Sequence, residues 1–353
     1  MRLGVKMRDW EAVLRTIRGA PSPCAELWLA KMNKWADTVL HAAIIYGASP
    51  AIARELLLEM ARRKEDVREI LSARNQWDNT PLHCAASRGS PSLCLLIPDA
   101  LATAEQTTRA ALARNNEGET PVFLAAVHGH YWAFRLLSEL VELEHATSPY
   151  VKPNGDSVLH LTIQRKYFEL SSIIMHLLPD LVSNINEKGQ APLDILASIP
   201  SAFRSATHLS WWEWLCYPFV PIRSQPRRLS RHLLDEDDPG LPDQFPTHEA
   251  LFGFSFLRST IEKKRRHVFG SRIMQQLLDN DAFYDSLMER DLLGMDHDHP
   301  ANLLKLGPSH KASSLLGWTP LLRATKYGAI ELVWAILDKK PFAIEDEMMR
   351  RRR

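Results

Sequence analysis

At 353 residues, with 45% apolar and 24% charged side chains, the chain can hold one large domain or two to three ordinary ones, and its composition excludes wholesale disorder. A net charge of +1 supplies no global field for nucleic acid or for an acidic substrate. Four cysteines (Cys24, Cys84, Cys94, Cys216) without a CxxC pair argue against a disulfide framework and a structural zinc site, and fit a reducing cytosolic setting.

The opening MRLGVKMRDWEAV lacks the apolar core of a secretory signal. One phrase then returns along the chain. ADTVLHAAIIYG begins at Ala36, DNTPLHCAASRG at Asp78 and GETPVFLAAVHG at Gly118. GDSVLHLTIQRK follows at Gly155, GQAPLDILASIP at Gly189 and LGWTPLLRATKYG at Leu316. Aligned on Thr38, Thr80, Thr120, Ser157, Ala191 and Thr319, the copies are separated by 42, 40, 37, 34 and 128 residues. Glycine stands nine residues after four of these anchors, as Gly47, Gly89, Gly129 and Gly328, an offset that chance does not repeat four times. A period of this kind marks a repeat protein.

Each copy reads as a helix with both ends marked. The Thr or Ser hydroxyl caps the N-terminus, worth about 1 kcal/mol. Proline follows at the first helical position (Pro81, Pro121, Pro192, Pro320), where a missing N–H costs nothing. The next residue is apolar and core-facing (Leu40, Leu82, Val122, Leu159, Leu193, Leu321), and alanine five residues after the anchor (Ala43, Ala85, Ala125, Ala324) lets a neighbouring helix lie close. The glycine supplies the left-handed residue that ends the helix. A second amphipathic helix is predicted after it, carrying Leu56–Leu57, Leu95–Leu96, Leu136–Leu137, Leu177–Leu178 and Ile336–Leu337, with polar turns such as NQWD and NNEGE between copies.

TPLHCAASRG and its relatives closely resemble the ankyrin repeat, most strongly at Thr80, Thr120 and Thr319 and less at Ser157 and Ala191. The resemblance runs to about residue 203 and resumes over 316–344. It implies an all-α solenoid of helix–turn–helix units with an irregular insert, whose turns project as fingers and whose concave face binds other proteins. DWEAVLRTI, from Asp9, looks like the second helix of a first repeat whose opening half is missing or degenerate. The resemblance also implies that His41, His83 and His160, each three residues after a cap, bond the capping residue and the neighbouring turn. The pair His83–Cys84 then reads as architecture rather than as a catalytic dyad.

At the fifth copy, the sixth unit when the one containing DWEAVLRTI is counted, the nine-residue offset lands on Pro200, and the array is expected to stop or bend there. The expected divisions are a repeat array over 1–205, a linker with a basic-apolar helical segment over 206–315, and a C-terminal repeat with a basic tail over 316–353. The proline-spaced part of the insert (Pro218, Pro221, Pro226) reads as a mobile linker, and a helix over roughly 250–290 is free to dock on the array. HLSWWEWLCYPFVPI carries Glu213 and two prolines and is too short to span a bilayer. The order APLDILASIPSAFRS, irregular segment, IEKKRRHVFGSRIMQQLL, TPLLRATKYGAIELVWAIL resembles plant ankyrin proteins of the accelerated-cell-death type. These carry a C-terminal membrane-spanning PGG domain, and the resemblance implies defence and stress signalling at the plasma membrane. This sequence ends in RRRR after PFAIEDEMM, with no such spans.

The remaining signals are weak. MDHDHP, with Asp296, His297, Asp298 and His299, reads as a solvated loop before a metal site. KKRRH from Lys263 reads as a solvated helix face before a nuclear signal or lipid patch, and RRLS offers Ser230 as a kinase site. His128–Gly129–His130 is a helix-ending turn. There is no phosphate loop, HExxH or GxSxG, so no enzyme activity, cofactor or metal is expected. The expected function is a protein-binding adaptor, cytoplasmic or peripheral at the plasma membrane, in plant defence or stress signalling. The alternatives are a nuclear adaptor and a truncated, partly degenerate relative. Expected partners are other proteins on the concave face, a membrane-anchored relative among them, with no nucleic acid and no intrinsic membrane span. Trp77, Asp78, Asn79, Asn116, Glu117, Glu119, Asn154 and Asp156 are the candidate contact residues at the finger tips, with Trp77 the candidate hot spot.

Overall fold

A computed structural model describes residues 2–21, 25–63, 66–141, 148–220, 222, 255–279, 319–339 and 341. MDHDHP, Ser230 and the terminal RRRR lie outside them. The regular elements of the described residues are α-helices and short 3-10 turns, in two compact units that divide between Lys152 and Pro153.

The first unit holds α1 (Arg2–Met7), α2 (Trp10–Gly19), α3 (Ala25–Leu29), α4 (Val39–Ile45), α5 (Pro50–Arg62), α6 (Val67–Ser72), α7 (Pro81–Arg88), α8 (Pro91–Asp99), α9 (Ala104–Leu112), α10 (Pro121–Val127) and α11 (Tyr131–Val141). Helices α1, α4, α7 and α10 stack as an inner row, and α2, α5, α8 and α11 as an outer row. The opening half of the first repeat is present in degenerate form, as α1, built from a sequence without the anchor phrase. The short helices α3, α6 and α9 form a third row, α3 against α6 and α6 against α9. They account for separations of 42 and 40 residues where an ordinary unit takes about 33.

The local sequence produces these helices as expected. Thr80 precedes α7 in extended conformation, Pro81 opens the helix, and Gly89 closes it at φ +70°. Gly47, Gly129 and Gly328 are likewise left-handed, at φ +77°, +79° and +73°. Ala43, Ala85 and Ala125 are fully buried between stacked inner helices. In the outer row Leu56–Leu57 and Leu136–Leu137 are buried, but Leu95–Leu96 is only half-buried. Leu93, Cys94 and Ile97 fill the core of α8 instead, because its apolar face lies on their side of the helix.

The second unit contains α12 (Val158–Gln164), α13 (Phe168–Leu177), α14 (Pro192–Ala197), α15 (Trp211–Cys216), α16 (Ser255–Leu278), α17 (Pro320–Tyr327) and α18 (Ile330–Lys339). Leu170, Ile174 and Met175 supply the core face of α13, leaving Leu177–Leu178 half-buried. The array does not stop at Pro200. Helix α17 stacks on α14 in the inner row, and α16 packs between α13 and α18 in the outer row. The repeat opened by α14 thus takes its outer helix from residues far along the chain. Within the expected linker, residues 206–220 are folded: α15 and the 3-10 turn Tyr217–Phe219 pack on α16, with Tyr217 and Val220 buried.

Helix α16 meets the turn Pro200–Ala202 at Gly270, where a Cβ would stand 2.5 Å from the Ala202 carbonyl oxygen. The KKRRH stretch is part of this packing and not a free solvated face. Lys263 ion-pairs with buried Glu213 at 2.7 Å, and Lys264 Nζ donates to the carbonyls of Tyr217 (2.8 Å), Pro218 (3.2 Å) and Val220 (2.8 Å). Arg265 grips Glu169, and buried His267 bridges Tyr217 Oη and Thr207 Oγ1 at 2.8 and 3.1 Å.

Candidate protein-interaction surface at the finger tips

Four of the five described fingers are tight turns built around one asparagine. Five residues before the helix cap stand Asn33, Asn75, Asn115 and Asn186. Each side-chain oxygen accepts two backbone N–H groups of its own turn: Trp35 and Asp37, Trp77 and Asn79, Glu117 and Glu119, Lys188 and Gln190, at 2.9–3.1 Å. The residue two before the cap is left-handed in every finger: Ala36 and Asp78 at φ +58°, Gly118 at +73°, Gly155 at +77° and Gly189 at +69°. Glycine adopts that conformation without strain; alanine and aspartate do so at some cost.

Successive fingers are then laced together. The N–H of Gln76 donates to the Trp35 carbonyl at 2.9 Å, Asn116 to Trp77 at 3.1 Å, and Glu187 to Asn154 at 3.0 Å. Pro153 stands at the donor's place in its finger and has no N–H. Side chains repeat the lacing: Asn75 to Asp37, Asn115 to Asn79, and Asn186 to Asp156, at 2.8–3.0 Å. Lys152 replaces asparagine and reaches Glu119 at 3.2 Å. Beneath them Lys31 donates to the Arg74 carbonyl, Arg74 to that of Arg114, and Arg114 to that of Val151.

The histidines complete the scaffold. His83 Nδ1 accepts the Thr80 backbone N–H at 3.2 Å and lies 2.8 Å from its hydroxyl, while Nε2 lies 3.1 Å from the Glu119 carbonyl of the next finger. His41 and His160 repeat this toward the Asn79 and Gln190 carbonyls at 2.8 and 3.0 Å. An Nδ1 that accepts carries no hydrogen, so the neutral Nε2–H tautomer is the one that satisfies both ends. Burial depresses all three histidines, His83 to about 4. Burial also pushes the Cys84 thiol up to about 12, so it is no nucleophile at neutral pH. Three copies vary the device, Leu322 standing in the histidine's place after Thr319. Phe123 replaces the histidine after Thr120, whose hydroxyl donates to the Pro149 carbonyl at 2.7 Å. Asp194 replaces it after Ala191, accepting the Ala191 N–H at 2.9 Å and facing Arg323 of α17 at 3.8 Å.

The eight candidate contact residues therefore divide. Asn79, Glu119 and Asp156 hold neighbouring fingers, and Asn154 bonds Asp156 within its own. Asn116 is exposed, but its side chain donates to the Gln76 carbonyl at 3.2 Å. Trp77 projects outward, Glu117 is exposed with its carboxylate 3.5 Å from Lys152, and the half-exposed Asp78 carboxylate lies 3.6 Å from Arg74. Trp77 is 45% exposed, and the sequence reading passed over its counterpart Trp35, 36% exposed, with Lys34 Nζ 5.0 Å over its ring. Each stands three residues before its cap, the signal by which Trp35 can be found. The two indoles occupy the same register of adjacent fingers. Among the described residues no group of three or more His, Cys, Asp or Glu is placed to hold a metal ion.

Stacked helix pairs with laced, projecting turns define an all-α solenoid of the ankyrin-repeat type. The family model for ankyrin repeats matches residues 40–147 in three copies. No curated protein sequence matches the chain. Among solved structures it is similar to the ankyrin repeat domain of Bcl-3, described as a unique member of the IkappaB protein family, at 22% identity over 55% of this chain and 75% of that one, with a TM-score of 0.42. It is likewise similar to the ankyrin repeat protein EF0377, at 16% identity over 54% and 87%, also with a TM-score of 0.42.

Proposed function

We propose that the chain is a protein-binding adaptor that engages its partner through Trp35, Trp77 and Glu117, at the cytoplasmic side of the plasma membrane in plant defence or stress signalling. The observation that carries the binding reading is a pair of exposed indoles on turns braced by the side chains of Asn33 and Asn75. Rigid aromatics lose little entropy on binding and are the usual hot spots of an interface. The signalling context is supported by the resemblance of the 191–337 segment order to the accelerated-cell-death type. The nuclear alternative rests on KKRRH and the terminal arginines, and Lys263, Lys264, Arg265 and His267 all have partners within the fold.

Proximity labelling in plant cells tests the reading with Trp35→Ala/Trp77→Ala/Glu117→Lys beside the parent chain. A partner set lost by the variant, with an unchanged melting profile, is the expected result. Full retention of that set places binding elsewhere. Fractionation with a high-salt wash tests the location: protein released from membranes by salt is expected, and an all-nuclear pool favours the alternative. A chain that fails to unfold cooperatively or to accumulate favours a degenerate relative.

A further inference from the structure

We propose that the surface formed by α15 and the turn after it docks on an anionic phospholipid bilayer. Twelve large apolar side chains are exposed among the described residues, and four of them come from the nine residues 211–219. Trp211, Trp214, Leu215 and Phe219 are 80%, 63%, 56% and 82% exposed. Their spacing puts them on one side of α15 and its following turn, and exposure of that degree belongs to side chains that project, with no facing wall to form a groove.

The ridge is held rigidly from behind. Glu213 faces the opposite way, bonded to Lys263, Ser210 and Ser259. Tyr217 is fixed to His267, and Lys264 ties three carbonyls of the turn. Tryptophan with an exposed apolar body and a polar N–H is suited to the headgroup region of a bilayer, where phenylalanine and leucine reach deeper. The charge that touches this segment has the matching sign: Arg204 over the Tyr217 ring, Lys263 on Glu213 and Lys264 on the carbonyls of the turn are three cations, against the two carboxylates of Glu213 and Glu331. No described helix is long and apolar enough to cross a membrane, so the contact is one of lying on the surface. This inference rests on the peripheral-membrane part of the proposed function and names the surface that carries it.

The test is co-sedimentation of the full chain with phosphatidylcholine vesicles, with and without phosphatidylserine, at low and high salt. Binding to the anionic vesicles, weakened by salt and reduced about tenfold or more in Trp211→Ala/Trp214→Ala/Phe219→Ala, is expected. Trp35→Ala/Trp77→Ala should bind as the parent does, so the finger reading and the lipid reading fail separately. Absence of binding to anionic vesicles overturns the proposal, as does undiminished binding by the triple variant with circular dichroism unchanged. A parent that ignores vesicles but forms a dimer broken by the triple variant makes the ridge a protein interface, and overturns it too.

Discussion

His83 shows how much one side chain holds in this fold. It links a helix cap to the next finger, and it does so only while neutral. Its folded value, about 4, lies below the ordinary 6.5, so the unfolded chain takes up the proton first as pH falls. Its contribution is fully present above about 6.5 and is lost progressively toward pH 4, some 3 kcal/mol across that window. His41 and His160 are shifted in the same direction by the same burial. The urea midpoint is therefore expected to fall between pH 7.5 and pH 5. His83→Ala should cost about 2–4 kcal/mol at pH 7.5 and flatten that dependence. An equally steep dependence in the variant would assign it to other groups. Leu82, beside it and buried, is a plain core residue: Leu82→Ala should cost ~2–5 kcal/mol in thermal or urea unfolding, and an unchanged profile contradicts its placement.

Elements were legible where a short local code specifies them. Thr-Pro-Leu-His and the glycine nine residues after the anchor set helix starts and stops by capping and left-handed geometry alone, and these hold across distant copies. The third row, α3, α6 and α9, left only an excess in the spacing, because those helices have no repeated phrase. Helix α16 was harder to place. Its buried face includes Thr260, His267 and Gly270 beside Ile273 and Leu277, so its apolar stripe looks interrupted although the helix is an outer-row member. Its role depends on partners distant in sequence, above all Glu213. Burial alone would raise that carboxyl, but Lys263, Ser210 and Ser259 outweigh burial and hold it near 2. Glu213→Gln leaves the Lys263 ammonium unpaired in a partly exposed position. The expected cost is about 1–3 kcal/mol, below that of a fully buried pair. Hydrogen exchange should show it as lost protection in α15 and the first half of α16; protection unchanged there would mean that the pair holds nothing.

At the scale of the molecule, a repeat array couples each unit to its neighbours, so its stability is a sum of local terms. The repeat that takes α14 from one place in the sequence and α16 from another is the least local member of its unit. Chain entropy does little to assemble it, and close packing at Gly270 has to hold it. The finger tips are less legible in sequence than the fold for a related reason: the sequence marks turn residues as polar, but only the lacing between fingers separates a bracing asparagine from a projecting one. Gly270→Ala distinguishes packing from propensity by its sign. In an uncrowded helix the change would gain roughly 1 kcal/mol. Here the added methyl meets the Ala202 carbonyl, and Gly270→Val meets it more severely, at a cost of about 1–3 kcal/mol or more. Hydrogen exchange of Gly270→Val should show protection falling across 158–220, 255–279 and 320–339 while 39–112 keeps the parent's pattern. A stabilised Gly270→Ala, or a loss of protection spread evenly over both units, would show that α16 is not seated against that turn.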